Sequence, residues 1–468
     1  MRPGRPPRNL VLFLVLQLGA SLLGCGDDSP ASDAGSPDAA AGDAATSDAA
    51  PPDAAVVDAA TPDAGIDATP APPSEWPNIY SQANSDPWLA ENHATIRVLR
   101  PKILALNFVN ARSNDDMLAL LDTIIAGFRE GSRYHGYDDA EAPAALEYEV
   151  ALAIDLRDET PPPDWPYNNS TLYPREDPVE GYWSFDYEQL FTEEFAAHYG
   201  VADPQDPERY LTLCELVDAG IIHELWIYGD ADVPDVSAAE VLTLMPSYDE
   251  DRVRLPGELS RCAGNGCFDA EDVIPPDCTR SLRIGWVNNT RGPGCYLHSD
   301  GHGMESLANG GYIPYFSRYF RAFANLDLDT RYGLPFNSWY SCDGRPSCLS
   351  YPSSTSVTYN TPAGNGTIDE YDPVCGNVHF PPNARRHYDD VGPDTVMTTC
   401  RGFRLGQDQG ADLAEPFDVS AFAEYNGPYY DCGGGFLVWW RQNMPGVDNP
   451  ALDDQGQPML NWWPFLFY

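Results

Sequence analysis

The chain has 468 residues, with 71 Asp or Glu against 27 Lys or Arg, so its formal net charge at pH 7 is −44. This acid excess disfavours nucleic-acid binding, because phosphate contacts require clusters of Lys and Arg. Beyond the N-terminal segment no apolar run approaches the roughly 18 residues that a membrane helix needs, so no span is predicted in the remainder of the chain.

The N-terminus has the pattern of an export signal. Arginines without any acidic residue occupy residues 1–9, and an apolar run follows from Leu10 to Gly24. This run is too short for a stable membrane span. It ends in Leu22-Leu23-Gly24-Cys25, which resembles the lipobox of bacterial lipoproteins, where a small residue precedes the lipidated cysteine. The alternative is an ordinary secretory signal that is cut elsewhere.

The resemblance to bacterial lipoproteins implies a processing route and a location. Residues 1–24 would be removed as a signal peptide, and the sulfur of Cys25 would carry a diacylglycerol group. Acyl chains hold a protein at a bilayer because each buried methylene contributes about 0.8 kcal/mol. We therefore expect a protein of the outer membrane or cell surface whose membrane contact is this lipid anchor.

The next segment is dominated by Asp, Ala, Pro, Ser and Thr, and Asp recurs every five residues from Asp33 to Asp63. A period of five matches neither a helix nor a strand, so it builds no apolar face. Such a segment cannot bury enough surface to offset its conformational entropy. The sequence therefore predicts a disordered tether over residues 25–75 and a globular domain over 76–468.

The first half of the globular domain alternates between strand-like and helix-like patterns. Strands are predicted at 102–109, 148–156, 221–228 and 282–288, and helices at 115–129, 187–199 and 207–219. This alternation is typical of a parallel sheet with right-handed crossovers. We therefore predict an α/β fold with a mostly parallel sheet core and helices. After residue 325 the composition shifts to Gly, Pro, Tyr, Cys and Asn, which predicts a loop-rich region stapled by disulfides.

Ten cysteines follow Cys25, and all of them lie after residue 213. An even number in an oxidising compartment predicts up to five disulfides. Short turn-rich loops separate Cys262 from Cys267 and Cys342 from Cys348, so these two local pairs are predicted while the other pairings stay open. A zinc site made of cysteines is disfavoured because the chain contains no CxxC.

The segment from Cys295 to Leu307 carries the most suggestive chemistry. On a helix, His298, His302 and Glu305 would share one face. Two histidines one turn apart can both reach a zinc ion, although Ser299 stands where the zincin pattern HExxH has its catalytic glutamate. Gly301 and Gly303 weaken such a helix and indicate a close backbone approach or an irregular turn. The alternative is a structural polar cluster without metal.

Polar residues follow the predicted strands and point to a site at one edge of the sheet. In open parallel sheets ligands bind at the carboxyl ends of the strands, where the sequence places Asn107, Asp155, Asp230 and Asn288. His298 comes ten residues after the end of the fourth strand, which favours the metal interpretation. His379, in CGNVHFPPN, is either a third ligand or a residue packed in a loop.

Aromatic residues concentrate near the end of the chain, in 435–440 and 461–468. They are either core residues or a sugar-stacking surface. The segments HSDGHGMES, CGNVHFPPN, LVWWRQNMPG and NWWPFLFY are similar to segments of secreted bacterial proteins of uncharacterised function. This resemblance transfers no activity.

The sequence therefore leaves two possible functions. The first is a membrane-anchored, metal-dependent hydrolase, in which His298 and His302 bind zinc, Glu305 is a ligand or general base, and Asp230 supports a ligand or contacts substrate. The second is a non-catalytic surface module that binds a glycan or a protein through the late aromatic segments.

Overall fold

The structure is a computed structural model that describes residues 73–81, 86–165, 167–175, 183–230, 236–237, 240–268, 272–275, 278–342, 345–407 and 409–468. These residues belong to one compact unit, Pro70–Tyr468. The predicted signal peptide, the lipidation site Cys25 and nearly all of the predicted tether lie outside the described residues.

Fourteen strands can be assigned within these ranges. They are β1 (Glu75–Trp76), β2 (Val98–Leu99), β3 (Lys102–Asn107), β4 (Glu149–Asp155), β5 (Trp183–Ser184), β6 (Glu224–Gly229), β7 (Val236–Ser237), β8 (Val241–Leu244), β9 (Leu282–Asn288), β10 (Leu349–Ser353), β11 (Ser356–Thr361), β12 (Gly364–Asp369), β13 (Val396–Gly402) and β14 (Leu413–Phe417).

Helices occupy both halves of the described chain. The α-helices are α1 (Asp86–Asn92), α2 (Asn114–Gly131), α3 (Glu193–Tyr199), α4 (Leu213–Asp218), α5 (Pro293–Gly310), α6 (Pro314–Phe323), α7 (Leu328–Tyr332) and α8 (Gly434–Gln442). Short 3-10 helices lie at His93–Thr95, Tyr187–Phe191, Trp339–Cys342, Val419–Tyr425 and Trp463–Phe467.

The central sheet has the strand order β4-β3-β6-β9-β8. The first four of these strands run parallel, and β8 pairs with β9 antiparallel at the edge. Alternate residues of β3 pack into two separate apolar clusters, because successive side chains of a strand point to opposite faces. Helices α2, α5 and α8 cover one face and α3 and α4 cover the other. The predicted α/β class with a mostly parallel sheet is confirmed, and β8 is an addition to it.

Two predicted helices are shorter in the structure than in the sequence pattern. The predicted helix 187–199 divides at Thr192, whose side chain accepts a hydrogen bond from the backbone of Phe195 and so caps α3. In the predicted helix 207–219 only α4 is helical, because Thr212 and Glu215 form a capping box that starts the helix there. Apolar periodicity continued through both caps, and the caps decided where each helix begins.

The region after residue 325 contains more regular structure than the predicted loops. Strands β10, β11 and β12 form an antiparallel sheet, and β13 pairs with β14. The apolar alternation in these strands is short, as at Val357 and Tyr359 of β11, and polar side chains pair across the sheet, as Thr358 and Thr367 do at 3.0 Å. Long stretches such as 370–395 contain no helix or extended strand, so the region remains loop-rich, with these two small sheets added to it.

The disulfide prediction is confirmed, since all ten described cysteines lie in pairs. Both predicted local pairs form, Cys262–Cys267 and Cys342–Cys348. Of the longer-range pairs, Cys214–Cys278 lies within the α/β half, Cys295–Cys432 joins it to the C-terminal half, and Cys375–Cys400 lies within the C-terminal half. Within the described ranges, no helix combines the length and the apolar character needed to cross a membrane.

The late aromatic segments are buried and belong to the core. Trp439 and Trp440 of α8 are at most 1% exposed, and Trp462, Phe465 and Tyr468 are fully buried. These rings pack against one another and against α6, for example Phe320 on Trp440 at 5.7 Å between ring centroids. A sugar-stacking surface made of these two segments is therefore excluded by their burial.

Candidate metal centre

Helix α5 carries two of the candidate ligands and has helix signals at both ends. Pro293 occupies its first turn after the cap residue Gly292, and Gly311 ends it in the left-handed conformation with φ 70°. Proline tolerates the first turn because its missing N–H is not needed there, and glycine adopts positive φ without strain. The helix predicted for the histidine segment is therefore formed, despite its two internal glycines.

One side of α5 packs on the sheet. The Tyr296 hydroxyl would overlap a Cβ added at Gly285, and Asp300 binds Arg283 at 2.8 Å. Asp300 also binds Arg441 of α8 at 3.0 Å, so a fully buried ion network holds this side of the helix. Helix α5 thus runs back along β9, away from the carboxyl ends of the strands.

His298, His302 and Glu305 point away from the sheet, because they lie roughly 180–240° around the helix axis from Tyr296. The expectation that these three side chains lie at the carboxyl ends of the sheet strands is therefore not met. Asp230 does lie at the carboxyl end of β6, where its carboxylate accepts a hydrogen bond from Asn168 at 2.8 Å.

A loop between β12 and β13 supplies the third histidine. The Asn377 side chain accepts hydrogen bonds from the backbone of His379 and Phe380, both at 3.1 Å. The disulfide Cys375–Cys400 closes the segment around them. The loop reaches α5 at Gly301, where an added Cβ would lie 2.8 Å from Val378. The sequence analysis offered two explanations for Gly301 and Gly303, a close approach to the helix backbone or an irregular turn. The structure shows the close approach at Gly301.

The three-histidine cluster is formed by His298, His302 and His379, which meet through their Nε2 atoms. The Nε2 atom of His379 lies 3.0 Å from that of His302 and 3.3 Å from that of His298. In a tetrahedral site with Zn–N bonds of about 2.0–2.1 Å, two ligand nitrogens are about 3.3 Å apart. The two distances from Nε2 of His379 are therefore close to the edge of a tetrahedral zinc site, and all three ligand atoms lie within 4.8 Å of one another. His379 is a candidate ligand, as one of the two sequence alternatives had it.

Glu305 lies on the opposite side of the His302 ring from the point where the Nε2 atoms meet. Its Oε2 atom is 2.9 Å from Nδ1 of His302 and accepts a hydrogen bond from the Tyr340 hydroxyl at 2.6 Å. Its Oε1 atom accepts the backbone N–H of Val378 at 3.1 Å. A carboxylate that orients a histidine in this way is common around metal ligands and raises the basicity of the ring.

His387 and Tyr388 complete the surroundings of the three-histidine cluster. The Nδ1 atom of His387 is 2.8 Å from Nδ1 of His379. The Tyr388 hydroxyl is 3.0 Å from Nε2 of His379 and 3.4 Å from Nε2 of His298. The sequence analysis did not identify His387, Tyr388 or Tyr340 as site residues. The weak signal available was that His387 and Tyr388 follow His379 closely in the sequence and lie with it between Cys375 and Cys400.

The electrostatics of the three-histidine cluster favour neutral imidazoles at two positions. Burial lowers the pKa of His298 and of His379 well below the usual histidine value, and neighbouring imidazoles add to this effect. Burial also acts against the charged form of His302, but the hydrogen bond and charge of Glu305 outweigh it and raise the pKa. Neutral imidazole is the form that binds a metal ion.

The hydrogen-bond inventory points to a cation. A neutral imidazole has one N–H, and His302 uses its Nδ1 atom toward Glu305, which leaves a lone pair on Nε2. When His302 is charged, its Nε2–H can donate to His379, but when all three imidazoles are neutral with the proton on Nδ1, one cation can accept a lone pair from each Nε2 atom. Imidazole ligands suit zinc, copper, iron and nickel.

Among the described residues, two groups of potential ligand atoms converge. One is the three-histidine cluster, and the other is Cys295, Asp431 and Cys432, whose cysteines form a disulfide and so supply no thiolate. The structure therefore brings the predicted ligands His298 and His302 together, places Glu305 behind one of them, and leaves Asp230 outside this group. No protein-family model, curated protein or solved structure matches the chain.

Proposed function

We propose that this chain is a metal-dependent hydrolase, with zinc bound by His298, His302 and His379. The observation that supports it is the convergence of three Nε2 atoms, with that of His379 lying 3.0 Å from that of His302 and 3.3 Å from that of His298. Catalytic zinc sites have three protein ligands and a fourth position for water or substrate, whereas structural zinc sites have four protein ligands. The donor set of three imidazoles belongs to the catalytic type.

Zinc in such a site lowers the pKa of a bound water to about 7, so hydroxide is available at neutral pH. The residues of this chain would orient the ligands and exclude bulk water. Ser299 takes no part, because its hydroxyl donates to the carbonyl of Cys295 at 3.0 Å. The helix therefore supplies no general base at the position that zincins use, and the proposed chemistry depends on the metal rather than on a glutamate. Glu305 has the role of holding His302.

The proposed location is the outer membrane or cell surface, with the chain anchored through a lipid on Cys25. The support is the N-terminal pattern in the sequence, where an apolar run ends in Leu22-Leu23-Gly24-Cys25. Replacing Cys25 by Ser removes the sulfur that would take the lipid. The variant should remain unprocessed or become soluble, and wild-type membrane association of Cys25→Ser would refute the anchor.

Metal analysis combined with activity measurements tests the hydrolase proposal. Purified protein should contain about one zinc per chain and hydrolyse at least one substrate in a panel of chromogenic esters, phosphoesters and peptides. His302→Ala should lose both the zinc and the activity, since it removes one of three ligands. His198→Ala is the matched control, because that histidine lies on α3 and contacts Phe195.

The metal centre and the hydrolase activity are tested separately. Zinc-free wild-type protein that binds no added zinc would exclude the metal centre. A stoichiometric zinc that His302→Ala removes, without hydrolysis of any substrate in the panel, would exclude the enzyme and leave a metal-binding surface protein. A glycan-binding module based on the late aromatic segments has lost its support, because those rings are buried.

A further inference from the structure

We infer that Tyr388 is the fourth ligand of the metal centre in its resting state and that its oxygen is displaced when water or substrate binds. This inference rests on the proposed metal centre and assigns the position that the three histidines leave open. It makes Tyr388 a regulatory ligand of that centre.

The position of the Tyr388 hydroxyl continues the tetrahedral spacing of the nitrogens. It lies 3.0 Å from Nε2 of His379 and 3.4 Å from Nε2 of His298. The two nitrogen–nitrogen distances are 3.0 and 3.3 Å. A tetrahedron has six edges, and these four distances are close to the edge of about 3.3 Å expected around zinc. The other two edges both end at Nε2 of His302. The phenol oxygen is therefore placed to reach a metal ion from beside His379 and His298.

The loop backbone is bent so as to bring Tyr388 to this point. Tyr388 has a φ of 55°, in the left-handed region that bulky side chains rarely adopt. Its N–H donates to the carbonyl of His379 at 2.9 Å, which ties the two residues together across the loop. The preceding residue, His387, contacts the far nitrogen of His379 at 2.8 Å. Unfavourable backbone angles of this kind cluster at binding and active sites.

Coordination requires the Tyr388 oxygen to exchange its proton for the metal. The O–H bond breaks, the proton passes to solvent, and the oxygen lone pair binds the ion, as for other ligands that must be deprotonated. Tyr388 is partly exposed, whereas His298 is 2% exposed. His302 and His379 are partly exposed as well, so an incoming molecule would reach the metal from the side away from His298. Because Glu305 holds His302 at 2.9 Å, we assign the exchange to the phenolate, which takes up a proton from the incoming water or from solvent when it leaves the metal.

Copper(II) is a suitable probe, because a phenolate bound to it produces a charge-transfer band in the visible region. Cu(II) added to metal-free full-length protein should give this band in the wild type. Tyr388→Phe should lose the band and still bind one Cu(II), since three imidazoles remain. Tyr340→Phe is the matched control. Its hydroxyl donates to Glu305, so this variant should keep the band. A wild-type protein that binds Cu(II) without the band, or a band that survives Tyr388→Phe, would overturn the inference.

Azide binding provides a second measurement on the same Cu(II) proteins. If Tyr388 occupies the fourth position, its removal opens that position, and Tyr388→Phe should bind azide at least about 10-fold more tightly than wild type. The expected factor is taken from the supporting contacts of metal ligands, whose loss typically weakens metal binding about 10–100-fold. We assume that competition with the phenolate weakens azide binding by at least the lower of these factors. Equal azide affinity in both proteins would show that the phenol does not hold the position. If wild-type protein binds no metal, the proposed function fails instead, so the two failures are distinguishable.

Discussion

Glu305 has three hydrogen-bond partners in the structure, and none of them lies on the Nε2 side of His302. If its carboxylate orients His302, then Glu305→Ala should still bind one zinc, with an affinity lower by about 10–100-fold. His302→Ala should abolish binding, since it removes a ligand. Zinc titration against a competing chelator measures both. Complete loss of zinc in Glu305→Ala would restore Glu305 as a ligand.

Gly376 precedes the third histidine closely and has a φ of 68°. A Cβ there would lie 1.9 Å from the carbonyl oxygen of Phe380, so the backbone would have to shift. Gly376→Ala should therefore lower the free energy of unfolding by on the order of 3 kcal/mol or more and weaken zinc binding through His379. Denaturant unfolding and zinc titration are the measurements.

Gly456 supplies the control for this effect. Its φ is 71°, and an added Cβ would meet no atom within 4 Å. Gly456→Ala should cost about 1–2 kcal/mol from the left-handed backbone alone and leave zinc affinity unchanged. Equal losses of stability in the two variants would show that the close approach to Phe380 has no energetic weight.

At the residue scale, sequence reasoning identified part of the site. The i, i+4 spacing places His298 and His302 on one helix face, and a helix is regular enough for that geometry to be read from spacing. The side of the His302 ring that Glu305 occupies depends on side-chain torsions, which spacing does not reveal. Tyr388 reaches the three-histidine cluster because its backbone is in the left-handed region. No local sequence pattern predicts that conformation.

At the element scale, the disulfide Cys375–Cys400 encloses the loop that carries His379, with a sequence separation of 25. Replacing both cysteines by alanine should lower the free energy of unfolding by about 3.5 kcal/mol from loop-closure entropy and should weaken zinc binding. The matched pair is Cys262–Cys267, with a separation of 5, for which the same model gives about 2 kcal/mol. Wild-type zinc affinity without Cys375–Cys400 would contradict the role assigned to the loop.

The elements of the α/β half could be predicted because each has a single clear periodicity. The strand 282–288 is predicted with the bounds that the structure shows, and α2 differs by one or two residues at each end. Strand β8 was missed because four residues are too few to show a clear periodicity. The strands after residue 325 were missed because their pairing depends on polar cross-strand contacts and on distant disulfides, which single-sequence patterns do not record.

At the scale of the whole molecule, buried neutral histidines should make the fold sensitive to acid. Burial lowers the pKa of His93 and of His223 from 6.5 to about 3, and that of His135 to about 4. The folded chain thus binds fewer protons than the unfolded chain below pH 6.5. The stabilisation is fully present above pH 6.5 and is lost as the pH falls toward about 3.

Buried carboxyl groups act in the opposite direction. Burial raises the pKa of Asp86 to about 6, so its contribution to stability improves as the pH falls from about 6 to about 4. Burial also raises the pKa of Glu224, Asp390 and Asp412. The shifts of the three histidines are the larger ones, so we expect a net loss of stability on acidification. Urea unfolding at pH 7.5 and at pH 4.5 measures it, and His93→Gln should show a smaller difference. Equal stability at both pH values would contradict the account.

The central claim is that one metal ion is bound by the Nε2 atoms of His298, His302 and His379. The most direct test is anomalous diffraction at the zinc absorption edge from crystals of the zinc-loaded protein. We expect one strong peak per chain at about 2.0–2.1 Å from each of these three nitrogens. Diffraction that shows no peak there, or that shows zinc bound only by surface carboxylates elsewhere, would contradict the claim.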